Sequence, residues 1–152
     1  MWALFLIFCS SLWGSSNSEP ETLKKISKTV VSPQGSTIDG DYFALGKIVE
    51  ISSHIQGDVY VCGGQVIIDG KVDGDVLALG GSVILLGEVE GNVRLLGGQV
   101  TLGGAIQKNV TLLSASGQLL PQALIGGNVV ALLGNGDIAS GLDQDMIAIA
   151  SN

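Results

Sequence analysis

Acidic residues recur at a fixed interval along this chain, and their spacing could build a cation site. Asp41, Asp58 and Asp75 are 17 residues apart, and Asp73 and Glu90 form a second set with the same interval. If residues at this spacing stack in neighbouring coils about 4.8 Å apart, the two sets become adjacent rows of carboxylates. Ca²⁺ prefers several oxygen ligands of this kind. These five residues are therefore candidate calcium ligands.

The first row also has a simpler explanation, in which its side chains support the backbone. The row continues with Asn92, Asn109 and Asn128 in place of aspartate. Asp and Asn side chains both hydrogen-bond nearby backbone N–H groups at turns. The spacing also differs from that of the glycine-rich nonapeptide repeat that binds calcium. The exchange of Asp for Asn favours the structural role, and we expect no cofactor.

The other residues that could do chemistry are isolated from one another in the sequence. His54 is the only histidine, and because a general base needs a positioned partner, we expect it to be a surface residue at a corner. Cys62 lies in a column otherwise filled by Leu and Ile, which favours a small core hydrophobe. Arg94 is the only arginine. We therefore predict no catalytic residues and no enzymatic activity.

The composition is typical of many short strands joined by tight turns. Hydrophobic residues make up 46% of the chain and charged residues 14%, with 23 glycines and only 3 prolines. Val, Ile and Leu favour strands, and glycine favours the turns between them. The net charge of −7 disfavours nucleic-acid binding, because a phosphate backbone needs a basic face. We expect neither a nucleic-acid partner nor a small-molecule substrate.

The polar residues that open each repeat define the period of the array. The openers are Asp41, Asp58, Asp75, Asn92, Asn109, Asn128 and Asp145. Successive openers are 17 residues apart except for one interval of 19, whose two extra residues fall near Pro121 and the glycine pair at 126–127. A fixed period of this length predicts a solenoid, in which each coil buries its apolar face against the next.

Columns of the aligned repeats predict which side chains point inward. The first and third places after the opener are apolar, whereas the second place includes Arg94 and Thr111. Strand alternation then turns the second place outward. The fourth place is also apolar, from Leu45 to Leu132, and we expect the chain to bend there and turn it inward. Glycine pairs such as Gly63-Gly64 follow and permit a corner.

These patterns predict an all-β protein, a single-stranded parallel β-helix of triangular section with six to seven coils of about 17 residues. Residues 1–16 form an apolar segment typical of a signal peptide or short membrane anchor, residues 17–37 a linker and N-terminal cap, and residues 38–152 the repeat domain. The lysines that follow the apolar segment would keep a retained anchor's repeats cytoplasmic. We favour export to the periplasm or cell envelope, with the cytoplasmic face of the membrane as the alternative.

The repeats resemble those of the bactofilins, and more closely their exported polymer-forming cytoskeletal relatives. The similar units are GDVYVCGGQVIIDGKVDG (57–74), GDVLALGGSVILLGEVEG (74–91) and GNVRLLGGQVTLGGAI (91–106). The resemblance covers about residues 36–150, and the chain departs from the family pattern at residues 114–127, where the glycine pair is missing. It implies a right-handed β-helix that associates end to end into homopolymeric filaments at the membrane or cell envelope.

Two kinds of surface could carry binding. The chain stops in mid-coil, so we expect either a longer product or a C-terminal end that docks onto another molecule. Candidate self-association residues at that end are Met146, Ile147 and Ile149. The alternative function is an exported adhesin-like β-helix that binds carbohydrate or protein through a lateral face. Its candidate residues are Tyr60, Ile67, Leu77 and Ile84.

Overall fold

The computed structural model describes the backbone of residues 29–138 and 146–150 and the side chains of residues 29–134. Every regular element within these ranges is a β-strand. The apolar segment 1–16, expected to be a signal peptide or anchor, lies outside the described residues, as does the first part of the linker. The strands are β1 (Thr29–Ser32), β2 (Thr37–Ile38), β3 (Tyr42–Ile51), β4 (His54–Ile55), β5 (Val59–Ile68), β6 (Lys71–Val72), β7 (Val76–Leu85), β8 (Glu88–Val89), β9 (Val93–Leu102), β10 (Ala105–Ile106), β11 (Val110–Leu119), β12 (Leu124–Ile125), β13 (Val129–Ile138) and β14 (Met146–Ala150).

Long and short strands alternate along the chain and form two parallel sheets. The odd-numbered strands and β14 build an eight-stranded sheet in chain order, and the even-numbered strands β2 to β12 build a six-stranded one. Most strands pair with their equivalents 17 residues away, as Val59 does with Val76 and Val72 with Val89. The chain is thus a parallel β-solenoid of about six turns of roughly 17 residues, which confirms the predicted fold class.

Three ladders of aliphatic side chains fill the interior of the solenoid. In the coil that Asp58 opens they are represented by Val61, Val66 and Val72, each 2% exposed or less. Buried side chains stand at odd-numbered positions up to Val61 and at even-numbered positions from Val66. The strand pairing skips Gly64 between them. The long strand therefore bends at the glycine pair, so that both of its halves face one core. The inward first and third columns are confirmed.

The fourth column after the opener does not turn inward, and that prediction was wrong. Leu45, Leu113 and Leu132 are 45%, 44% and 48% exposed, and Cys62 in the same column is only partly buried. Alternation continues through all four residues of the first half-strand, because the bend comes later, at the glycine pair itself. The fourth side chain keeps its outward direction, and Cys62 is not a core residue.

Close backbone stacking makes glycine necessary at the corner before three of the short strands, β6, β8 and β10. A Cβ on Gly87 would lie 2.0 Å from the carbonyl oxygen of Gly70 in the coil below. A Cβ on Gly104 would lie 2.1 Å from the carbonyl oxygen of Gly87. At these distances any side chain would push two coils apart, so the sequence at this corner is set by the distance between coils.

The two extra residues of the 19-residue interval lie in the turn between β11 and β12. β11 pairs with β9 at an offset of 17, whereas Val110 pairs with Val129 of β13 at an offset of 19. The extra residues fall within 120–123, where the Ala123 N–H donates to the Leu120 carbonyl at 3.0 Å. The insertion is thus confirmed near Pro121. Where the first glycine of the pair is replaced, the Ser114 hydroxyl donates to the Ser116 carbonyl at 2.5 Å.

The ladder extends before residue 38, into the segment that was expected to form a linker and cap. β1 pairs in parallel with the second half of β3, with Thr29 opposite Ile48, and β2 pairs with β4. Val30 and Ile38 are partly buried and pack against the core. Residues 29–38 thus form a partial coil on the first full one.

The difference in burial between two adjacent leucines predicts that truncating them to alanine will affect stability very differently. Leu85 is fully buried, whereas Leu86 is 45% exposed. We expect Leu85→Ala to lower the free energy of unfolding by about 3 kcal/mol, because it leaves a cavity in the core ladder. Leu86→Ala is the matched control and should cost less than about 0.5 kcal/mol. Urea unfolding followed by circular dichroism measures both, and equal losses would contradict the inward assignment.

Candidate functional surfaces

The opener residues form a ladder of hydrogen bonds between coils. The Asp75 N–H donates to Oδ1 of Asp58 at 2.8 Å, and the Asn92 N–H donates to Oδ1 of Asp75 at 2.7 Å. Asp41 accepts in the same way from the Asp58 N–H at 2.9 Å, and Asn109 from the Asn128 N–H at 3.0 Å. The openers from Asp41 to Asn109 therefore each supply the acceptor for the backbone of the next coil.

The geometry of this ladder explains why Asp and Asn exchange at the opener position. Both side chains carry an Oδ1 that can accept from the amide above, so either satisfies a donor that would otherwise remain unpaired. Glycine precedes every described opener except Asn109, which follows Lys108. The close approach explains this preference, because a Cβ on Gly74 would lie 2.2 Å from Oδ1 of Asp58. The opener side chains thus hydrogen-bond backbone N–H groups, as expected from the sequence. The hydrogen bond joins two neighbouring coils, however, and not residues within one turn.

The second acidic row contacts basic side chains. Lys71 Nζ lies 2.9 Å from Glu90 Oε1 and 3.8 Å from Asp73 Oδ1. The hydrogen bond to Glu90 raises the pKa of Lys71 above its ordinary value. His54 is partly exposed on β4, and its Nε2 lies 2.8 Å from Asp73 Oδ1. Asp73 is therefore shared between His54 and Lys71.

The five candidate calcium ligands thus have other partners. Asp41, Asp58 and Asp75 accept from backbone amides, and Asp73 and Glu90 pair with Lys71. In the described part of the chain, no group of three or more His, Cys, Asp or Glu side chains is arranged to hold a metal ion.

The His54–Asp73 contact was not foreseen, because its offset of 19 residues differs from the repeat period.

The first half of each long strand presents an outer surface that we call the apolar face. It consists of the second and fourth places of six successive coils: Phe43, Leu45, Tyr60, Cys62, Leu77, Leu79, Arg94, Leu96, Thr111, Leu113, Val130 and Leu132. The Phe43 and Tyr60 rings are stacked, with centroids 4.9 Å apart and planes at 11°. Phe43 is 68% exposed. Arg94 carries the only charge among these twelve side chains.

The opener row borders the apolar face along one edge. The Tyr60 hydroxyl donates to Asp58 Oδ2 at 3.3 Å. Partial burial raises the pKa of the Tyr60 phenol, and the negative charge of Asp58 beside it raises it further. Carboxylates and aromatic rings therefore meet at this edge.

The structure divides the four lateral candidates into two pairs. Tyr60 and Leu77 are neighbours on the apolar face, whereas Ile67 and Ile84 are neighbours beyond the glycine bend. All four are partly buried. The wider apolar face was missed because the fourth column was expected to point inward. Strict alternation along the first half-strand was the signal that could have found it.

The self-association candidates Met146, Ile147 and Ile149 lie on β14, the last strand of the eight-stranded sheet. Its backbone pairs with β13 in the same register as the preceding coils, with Met146 opposite Val129. Their side chains lie outside the described residues. The backbone of these three residues therefore lies at the C-terminal edge of the described sheet.

Comparison with known proteins does not identify a relative. No protein-family model matches the chain, and no curated protein or solved structure is significantly similar to it. Among the residues that the structure describes, there is no helix with the length and hydropathy needed to cross a membrane.

Removal of one opener side chain should destabilise the coil that follows it. Asp75→Ala leaves the Asn92 N–H without its acceptor at Oδ1, and we expect a loss of about 1–2 kcal/mol in the free energy of unfolding. Asp75→Asn retains an Oδ1 acceptor and should lose much less. Chemical denaturation of the two variants distinguishes them, and an equal loss would show that the charge of Asp75 matters more than its hydrogen bond.

The contact between Tyr60 and Asp58 should be visible in a pH titration. The chain has two tyrosines, so a Tyr42→Phe background isolates Tyr60. We expect the phenol to ionise with a pKa above its ordinary value of 10.0, because burial and Asp58 disfavour the phenolate. Asp58→Asn should lower that pKa towards 10.0, as followed by phenolate absorbance. An unchanged pKa would exclude an effect of the Asp58 charge.

Proposed function

We propose that the protein is a non-catalytic structural scaffold, a bactofilin-like β-helix that self-associates end to end into filaments at the cell envelope. The observation that carries this proposal is the uniformity of the coil-to-coil contact. Inward columns, strand register and opener ladder recur from one coil to the next. A terminal coil therefore offers a second molecule the same kind of surface that each coil offers inside the molecule.

The direction of the backbone amides supports growth at the C-terminal edge. In five successive coils the first residue of the long strand donates its N–H to the opener carbonyl of the next coil, as Val59 does to Asp75 and Val110 to Asn128. Met146 holds the equivalent place on β14. By this pattern its N–H points towards the position of the following coil, where another molecule could accept it.

Location and partners follow from the same proposal. The resemblance to exported polymer-forming cytoskeletal proteins and the signal-like segment 1–16 favour an exported filament, with the cytoplasmic face of the membrane as the alternative. Its partner is a second copy of the chain. No ligand enters the proposed assembly, which depends on backbone pairing and on burial of the terminal coil.

A second candidate function is an adhesin-like module that binds carbohydrate or protein through a lateral face. The stacked rings of Phe43 and Tyr60 favour it, because exposed aromatic surfaces frequently take part in recognition. Such a module would depend on these rings and would be indifferent to changes on β14.

A proline at the C-terminal edge should separate the two functions. Met146→Pro removes one N–H at the first residue of a strand, a place where proline is tolerated. We expect wild-type protein to form filaments that persist in chelator, and Met146→Pro to form short or no filaments because the docking edge lacks a donor. Negative-stain electron microscopy across protein concentration measures this, with thermal melting to verify the fold.

Tyr60→Ala is the control, since it changes the lateral face and leaves the ends intact. Filaments of normal length with Tyr60→Ala and their loss with Met146→Pro would support the scaffold. Discrete rods from wild-type protein at every concentration would exclude intrinsic polymerisation. If Tyr60→Ala also abolished binding to a glycan or protein array, the adhesin-like function would replace the scaffold.

A further inference from the structure

The apolar face is a continuous sheet surface with little charge. It takes two outward side chains from each of six coils, and Leu occupies the fourth place in five of these coils. Leu113, Val130 and Leu132 near one end are 44–48% exposed, as is Leu45 at the other. The other charged side chains described lie on the remaining sides, including Lys71, Asp73 and Glu90. Exposed apolar area of this regularity is typical of a surface that another molecule covers.

We propose that a second copy of this chain covers the apolar face, with the two solenoids packed face to face and running in opposite directions. Flat sheets pack about 10 Å apart with their side chains interdigitated, and a copy of the same face has the same spacing between coils. This lateral contact uses a different surface from the ends, so it does not depend on the proposed filament.

The charge pattern of the opener row determines the relative direction of the two copies. Openers of the first three coils are Asp41, Asp58 and Asp75, and those of the next three are Asn92, Asn109 and Asn128. A two-fold axis along the strands, between the third and fourth coils, places the acidic half of each row opposite the amide half of the other. Like charges then avoid each other across the contact.

Arg94 supports the same arrangement. It is exposed in the fourth coil and, within residues 29–134, forms no ion pair. The proposed axis places it opposite Leu77 of the second copy and next to the Asp75 of that copy. A parallel arrangement would instead place Arg94 opposite Leu96, away from the acidic row. An axis through the fourth coil would bring the two Arg94 side chains together.

The size of the face predicts a weak contact. Six coils about 4.8 Å apart and four residues of strand give a face of roughly 30 Å by 13 Å. Two such faces bury less than the roughly 1,200 Å² typical of a stable complex. Pairing should therefore depend on protein concentration. A bilayer is a poorer occupant, because the net charge is −7 and the face lacks the basic rim that binds anionic lipid.

Thiol crosslinking tests the arrangement in the full chain. The proposed axis places Cys62 in the second coil opposite Leu113 in the fifth, across faces about 10 Å apart, which exceeds the reach of about 7 Å that a direct disulfide allows between Cα atoms. In a Cys9→Ser background, a short bis-maleimide should therefore link Leu113→Cys into a covalent dimer, at least five-fold more than the same background without it. A link between the two positions within one chain would not double the mass, so the dimer band reports the contact between copies.

Two further cysteine variants make the trapping result decisive. Leu132→Cys shifts the position by one coil, and Ile84→Cys places the thiol beyond the glycine bend. Both should give no more dimer than the background. A dimer that forms best with Leu132→Cys would move the axis onto the fourth coil and overturn the proposed arrangement. Equal trapping at all three positions would show random collision and overturn the docking surface.

Sedimentation velocity separates lateral pairing from end-to-end growth. The double variant Leu96→Lys and Leu113→Lys should weaken the lateral dimer at least ten-fold, whereas Ile84→Lys should leave it unchanged. Filaments of the double variant, if end-to-end growth occurs, should retain their length but appear as single rods. Lateral association that is unaffected by the double variant would refute the proposal. So would a wild-type chain that stays unpaired at every concentration, and binding of that chain to phosphatidylcholine vesicles through this face would then identify a bilayer as the occupant.

Discussion

The distance between coils is the constraint on which the rest of this structure depends. Parallel strands pair at about 4.8 Å, and here every coil must meet its neighbour at that distance around its whole circumference. Corners are the difficult points, because no side chain fits where the Gly87 position would meet the Gly70 carbonyl at 2.0 Å. Glycine recurs at these corners for that reason. The aliphatic ladders between the corners then supply the burial that holds the coils together.

The opener ladder solves a second problem of the same stacking. A backbone N–H at a corner lacks a carbonyl partner, and the side-chain oxygen of the preceding opener accepts from it, as Asp58 does from Asp75 at 2.8 Å. Three stacked carboxylates repel one another, and the next three places of the row, Asn92 to Asn128, hold amides. An amide retains the acceptor and removes the charge. The exchange of Asp for Asn therefore limits repulsion without breaking the ladder.

Periodicity predicted much of this fold because stacked coils place like residues together. The interval of 17 located the inward columns that include Val59 and Val61, and the insertion near Pro121. What failed was the direction of the fourth column, since apolar character alone does not distinguish a core side chain from one on an apolar outer face. Leu45 and Leu113, for example, have the same residue type as leucines of the core, so residue type did not show that they face outward. The His54–Asp73 contact was missed for a different reason, because neighbouring columns can meet at offsets other than the period.

The same regularity bears on function. A catalytic site brings unlike side chains together from different elements, whereas a solenoid stacks similar side chains in rows along its axis. Here the rows are an amide-accepting edge, an apolar face and a charged side on which Lys71 lies between Asp73 and Glu90. Rows of this kind suit contacts that repeat along an axis, since each added coil extends a row without changing its chemistry. Assembly at the ends would lengthen these rows, and pairing through the apolar face would then gain area in proportion to length. A lateral contact too small to hold two single molecules could thereby hold two filaments.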